Sequence, residues 1–308
     1  MASKTKLHPR NLHLDGYDFE RLVAQTPELE AFMIKNPVGQ STVDFQDPRA
    51  VRMLNRALLR THHDIEFWDI PAGYLCPPIP GRVDYIHHLA DLLAEDTKVQ
   101  EAPRGNHIKA LDIGTGASLV YPLIGQSAYG WRFTGVDVDA NAVKSARQIR
   151  DVNKLDIDLR LQNNSENIFR GVIQPDDAFH VTMCNPPFHG SLEQANKGTQ
   201  RKWASLGKGR STKLNFGGRD AELWYPGGEI KFIARMVAES MDFAKQCLWF
   251  TSLVSKKDNL QPLHRILGKA RVADYKVVEM AQGQKTSRFI AWTYFKKKHR
   301  TLFDERGA

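Results

Sequence analysis

Apolar residues in this chain switch between two spacings, and the switches outline an α/β fold. Val83, Ile86, Leu89, Leu92 and Leu93 recur three and four residues apart and predict a helix over Arg82–Glu95. Short apolar runs of strand length follow at Ile108–Ile113, Trp131–Val136, Phe179–Cys184 and Cys247–Val254, and Ile157–Leu161 alternates apolar with polar as a further strand. Tyr275–Met280 and Arg288–Phe295 close the chain as two more strands. Helical spacing returns over Asn141–Arg150 and over Glu229–Ala244, where Ile230, Ile233, Met236, Val237 and Met241 mark one face. Strands alternating with helices imply a seven-stranded, mainly parallel sheet with helices on both faces.

Before this pattern lies a mostly helical extension, residues 1–80. The run Cys76-Pro77-Pro78-Ile79-Pro80-Gly81 reads as a stiff, non-helical boundary. The second unit, 81–308, holds the alternating pattern and a loop-like insert at 189–228. Length and composition fit: 308 residues, 42% hydrophobic and 25% charged, suit one enzyme domain with an extension. Cys76, Cys184 and Cys247 are scattered and odd in number, so neither a disulfide framework nor a metal site is expected. The polar start and the lack of an apolar run near the ~20 residues of a membrane span lead us to expect a cytoplasmic protein with no membrane partner.

Chemistry is suggested where strands end. Leu111-Asp112-Ile113-Gly114-Thr115-Gly116 is a glycine turn after a buried strand, and glycine leaves room for backbone to approach a ligand. Asp137 ends the next strand, where a carboxylate can accept both ribose hydroxyls of a nucleoside. The third glycine of a dinucleotide turn is replaced by Leu119, which favours a cofactor without phosphates. S-adenosyl-L-methionine fits that description. Asp112 either orders the loop or holds the cofactor ammonium through water.

Asn185-Pro186-Pro187-Phe188 follows the fourth strand and matches a signature of enzymes that methylate planar NH2 groups. Such a nitrogen is a poor nucleophile, because its lone pair is delocalised. The Asn185 side-chain oxygen and the Pro186 carbonyl can each accept one N–H bond and aim the lone pair at a methyl donor. The prolines stiffen the turn. Phe188 offers a stacking face worth roughly 1–3 kcal/mol to an unpaired base. The motif fits an adenine N6 amine in RNA or DNA and a protein glutamine alike.

Net charge is +8, which favours a polyanionic partner. The segment after the motif carries Lys197, Arg201, Lys202, Lys208, Arg210 and Lys213 against one acid, Glu193. It can follow a phosphate backbone. In the extension, Arg49, Arg52, Arg56 and Arg60 form a stripe opposite Val51, Leu54 and Leu58. Lys4, Lys6, His8 and Arg10 form a second basic group. Either reads as a phosphate grip, and the stripe equally as the outer face of a plain amphipathic helix.

The chain closely resembles the bacterial RlmF family, which methylates N6 of one adenine in 23S rRNA. It is similar, more distantly, to metazoan enzymes that methylate an adenine of U6 snRNA. The resemblance runs through Leu7-His8-Pro9-Arg10-Asn11, Ser41-Thr42-Val43-Asp44-Phe45 and Pro80-Gly81-Arg82-Val83-Asp84-Tyr85. It continues through the glycine turn, Asn185-Pro186-Pro187-Phe188, Asn215-Phe216-Gly217-Gly218 and Met280-Ala281-Gln282-Gly283-Gln284-Lys285. It implies a Rossmann-like class I methyltransferase with an N-terminal RNA-binding extension. It implies 23S rRNA or a large-subunit assembly intermediate as partner, and we expect a monomer. Residue by residue, it implies that Arg82 holds the cofactor carboxylate and that Gly114 and Ser118 belong to the glycine-loop contacts; Gly116 is a candidate cofactor contact from the turn itself. Asp137 would take the ribose, Ser165 would lie near the cofactor adenine, and Asn185 would touch both cofactor and target amine. Distant relatives carry Glu where this chain has Asp137. Apart from the resemblance, Arg82 is an ordinary helix-start arginine, and His87 and His88 are packing residues or RNA contacts.

Overall fold

A computed structural model of the chain describes residues 7–97, 101–189, 224–282 and 285–303. The extension begins with helix α1 (Phe19–Gln25), a 3-10 turn (Pro27–Phe32) and an antiparallel ribbon, β1 (Met33–Lys35) with β2 (Ser41–Val43). Helix α2 (Pro48–His63) follows. Its start is written in the sequence: Asp47 caps it by accepting the Arg49 N–H, and Pro48 sits in the first turn. It buries Ala50, Val51, Leu54, Ala57 and Leu58. It ends at Asp64, which takes a left-handed φ of 56°.

Helix α3 spans Ile79–Ala94. The expected non-helical boundary therefore gives way at its end, because Ile79, Pro80 and Gly81 already form the first helical turn. A proline there loses no hydrogen bond, since the first-turn N–H groups have no intrahelical acceptor. Arg82 lands in that turn, next to the functional site.

The remaining strands are β3 (Lys109–Ile113), β4 (Arg132–Asp137), β5 (Ile157–Leu161), β6 (Phe179–Cys184), β7 (Cys247–Leu253), β8 (Asp274–Gln282) and β9 (Lys285–Thr293). They form one seven-stranded sheet in the order β5-β4-β3-β6-β7-β9-β8. The first five run parallel; β9 is antiparallel to both β7 and β8. The further α-helices among the described residues are α4 (Val120–Tyr129), α5 (Ala140–Val152), α6 (Gly228–Ser240), α7 (Leu260–Lys269) and the short α8 (Lys297–Arg300).

Both faces of the sheet are covered, as the pattern of near-continuous apolar strands requires. Along β9, Phe289 and Ala291 enter the core under α3, α4 and α5, whereas Ile290 and Trp292 enter the core under α6 and α7. Among the described residues the extension has no core of its own. Leu22, Leu54, Leu58 and Trp68 belong to the same apolar cluster as Leu89, Leu123 and Phe289. Polar ties add to this: Trp68 Nε1 donates to the Ser118 carbonyl at 2.8 Å, and Tyr74 hydroxyl donates to Asp139 at 2.6 Å. Asn153 exchanges two hydrogen bonds with the Phe67 backbone.

The join also buries histidines. Burial lowers the pKa of His13 to about 4, of His63 to about 3 and of His87 to about 4, and neighbouring histidines push in the same direction. Neither ring nitrogen of His63 has a hydrogen-bond partner. A base whose folded pKa lies below its unfolded value stabilises the fold above that unfolded value, and the contribution is lost as pH falls through the folded pKa. The melting temperature should therefore drop as pH falls from about 6.5 to about 4. His63→Leu should flatten part of this slope in a thermal melt series; an unaltered slope contradicts the assignment.

Candidate active site

Gly114 and Gly116 turn the chain sharply after β3, with φ of 75° and 67°, a region open to glycine. The Gly114 and Thr115 N–H groups both donate to the Val136 carbonyl, at 2.8 and 2.9 Å, which pins the turn to β4. A Cβ at Gly114 would meet no protein atom within 4 Å, so the turn opens onto free space. Leu119, in the third-glycine position, adopts φ of 53° and caps α4.

One residue past Val136, Asp137 ends β4. Its Oδ2 accepts the Gly116 N–H at 2.8 Å and its Oδ1 accepts the Asp139 N–H at 2.9 Å. Burial pushes its pKa upward against these two bonds. Beneath the turn, Asp112 is fully buried, and neither of its oxygens has a hydrogen bond of good geometry. Burial raises its pKa to about 7; the Thr115 hydroxyl and the Arg82 guanidinium oppose the shift and Asp137 adds to it. Arg82 reaches across from α3, donates to the Tyr121 hydroxyl at 2.9 Å and lies 5.4 Å from that ring's centre.

Asn185 follows β6 directly, and its Oδ1 is buried without a hydrogen-bond partner. Pro186 and Pro187 are buried; Phe188 is 38% exposed.

These elements enclose a cavity of about 580 Å³. Arg82, Gly114, Gly116, Ser118, Asp137, Ser165, Asn185 and Pro187 all line it. Asp112, Pro186 and Phe188 are not in its lining. The sequence reading missed one wall: Trp224, Tyr225 and Pro226, with Phe232 and Arg235 from α6. This wall is fastened to the motif, since Trp224 bridges to His189 and the Tyr225 N–H donates to the His189 carbonyl at 3.0 Å. An aromatic pair just before a Pro-Gly-Gly helix start is the available signal, and it lies within the segment that reads as one loop.

The basic residues divide. Arg10 donates to the Tyr129 hydroxyl, the His87 carbonyl and Asp91, so it clasps the N-terminal segment to α3 and α4. Arg49 pairs with Asp47, Arg52 with Asp69, and Arg60 with Glu66. Such exposed pairs contribute little stability. Arg56 makes no ion pair among the described residues. Lys4, Lys6, Lys197, Arg201, Lys202, Lys208, Arg210 and Lys213 lie outside the described residues. His8, His88 and Asp91 bring ligand-type atoms within 4.8 Å of one another, with Asp91 already held by His8 and Arg10.

A family model described as RNA methyltransferase matches residues 1–296. The chain belongs to this family. It is 57% identical over 296 residues to a ribosomal RNA large subunit methyltransferase F of Pseudoalteromonas translucida, covering 96% of this chain and 95% of that one. It is 53% identical to the protein of the same name from Pseudomonas savastanoi pv. phaseolicola, covering 97% and 92%. Among solved structures, the hMettl16 catalytic domain in complex with MAT2A 3′UTR hairpin 1 is similar at TM-score 0.80 and 28% identity, covering 94% of this chain and 96% of that one. The N-terminal domain of human METTL16 in complex with SAH is similar at TM-score 0.74 and 27% identity, covering 94% and 99%.

In this RNA methyltransferase the buried Asp112 carries a stability cost. A carboxyl whose folded pKa is raised stabilises below its unfolded value, and that contribution is lost as pH rises through the folded value, here about 7. Asp112→Asn should therefore gain stability over the parent as pH rises from about 4 to 7, with the gain constant above. Paired denaturation curves test this; a pH-independent difference contradicts it.

Proposed function

We propose that this RNA methyltransferase transfers a methyl group from S-adenosyl-L-methionine to the exocyclic N6 amine of an adenine in 23S rRNA. The observation that carries the reading is the buried, unpartnered Oδ1 of Asn185 at the end of β6, in one cavity with the glycine turn and Asp137. A buried acceptor without a donor costs roughly 1–3 kcal/mol, so its persistence points to a ligand N–H.

The residues present fit the cofactor. The Gly114–Gly116 turn opens onto space, and Asp137 stands where a ribose would be held. Arg82, on the cavity wall, offers a charge for the carboxylate of an amino-acid tail, and Asp112, beneath the turn and outside the lining, can reach the ammonium only through water. Ser118 lies on the glycine-turn side, and Ser165 lines the cavity from beyond β5. When bound, the cofactor supplies an electrophilic methyl group.

The target base enters from the side of Pro187 and the Trp224–Pro226 wall. Asn185 Oδ1 accepts one N6–H bond and the Pro186 carbonyl accepts the other. Both bonds draw the amine toward pyramidal geometry and orient its lone pair. Phe188, partly exposed beside the prolines, gives the base a face to stack on. A paired adenine cannot reach this depth, so the base is unpaired or flipped out. The basic stripe on α2 and the Lys/Arg segment after the motif follow the phosphates. The partner is 23S rRNA or a large-subunit assembly intermediate, met in the cytoplasm. On this reading the enzyme acts as a monomer. No described helix is long and apolar enough to cross a membrane.

The test is incubation with radiolabelled S-adenosylmethionine and unmethylated 23S rRNA, then digestion and nucleoside separation. Label is expected in N6-methyladenosine. Absence of label on both naked RNA and ribosomal particles contradicts the reading, as does label found only in protein glutamine.

A further inference from the structure

Arg235 projects from α6 between two walls of the cavity that no strand joins. Its NH1 donates to Glu166 at 3.0 Å, in the loop after β5 that lines the cofactor end. The same nitrogen donates to the Tyr225 hydroxyl at 3.3 Å, in the wall beside Asn-Pro-Pro-Phe. Its Nε lies 3.5 Å from Glu239, one turn further along α6. Glu239 is 2% exposed, and its other oxygen accepts the N–H groups of Ile168, Phe169 and Arg170. One end of the β5 loop is thus anchored rigidly to α6. The cavity-lining part that contains Ser165 and Glu166 is tied to α6 through Arg235, which also ties Tyr225.

Resting on the function proposed above, we propose that Arg235 is a positioning residue that couples cofactor binding to RNA binding. Occupation of the cofactor end holds Ser165 and Glu166 in the bonded position. Glu166 then fixes the guanidinium, and the guanidinium fixes the Tyr225 wall against which the target base must lie. The coupling is reciprocal by thermodynamic necessity. An exposed Arg–Glu pair contributes little stability by itself, so the contact acts by alignment of both walls to one rigid helix.

The test measures the affinity of an unmethylated 23S rRNA transcript with and without saturating S-adenosylhomocysteine. In the parent, RNA should bind about tenfold more tightly when S-adenosylhomocysteine is present. Glu166→Gln and Tyr225→Phe each cut one arm of the tie. Glu166 is 75% exposed, and Tyr225→Phe removes only the hydroxyl and keeps the ring that packs edge-on against Phe232, so both variants should fold. Each should reduce the ratio to less than about threefold, and Arg235→Ala should bring it to about one. A purely structural role would weaken both ligands and leave the ratio alone. A parent ratio of one, or a ratio preserved in either single-arm variant, overturns the proposal. A parent that binds no S-adenosylhomocysteine or no RNA instead overturns the function on which it rests.

Discussion

Three parallel strand ends must meet side by side for this site to exist. The strand order puts β3 between β4 and β6, and the register pairs Ile113 with Val136 on one side and with Cys184 on the other. The next residue in each strand's course is Gly114, Asp137 and Asn185. Parallel pairing thus lines up a turn that opens onto space, a carboxylate and an amide oxygen at one sheet edge. This is the crevice in which open α/β sheets take ligands. A slip of one residue in any of the three would turn that group to the wrong face.

The arrangement leaves polar atoms buried without partners, notably Asp112 and Asn185. A free fold must offset that cost elsewhere. Here the extension contributes: its apolar face is continuous with the core under α3 and α4, and Trp68 bonds the carbonyl of Ser118, in the lining of the cavity. The same segment carries the arginine stripe of α2. Support of the loop and presentation of basic side chains are therefore built into one piece of chain.

Much of this was legible in the sequence, for physical reasons. Phe179–Cys184 stood out as a strand because both-face burial makes the run apolar and short, and Ile157–Leu161 because its apolar residues alternate with Asp158 and Arg160. Asp137 and Asn185 were visible because they follow such runs at once. Helices α4 and α7 were not. Within α4, Pro122 and Gly125 punctuate a segment buried on most sides, so no polar face marks its period. In α7 the buried positions are Leu263 and Leu267, too few to stand out. The Trp224–Pro226 wall, at the end of the insert, and Arg235, on α6, were missed because they reach the cavity through tertiary contacts that no local spacing encodes. The resemblance supplied Arg82 and Ser165, which periodicity alone leaves as ordinary polar residues.

The central claim is that Asn185 acts on the target amine and is not merely a prop for the cofactor. The measurement is single-turnover methylation by Asn185→Ala beside its affinity for S-adenosylhomocysteine. Turnover slowed by about 10²- to 10³-fold, with cofactor affinity changed only a few-fold, is the expected result for loss of one preorganised contact. Turnover near that of the parent, or a loss confined to cofactor affinity, would contradict the account.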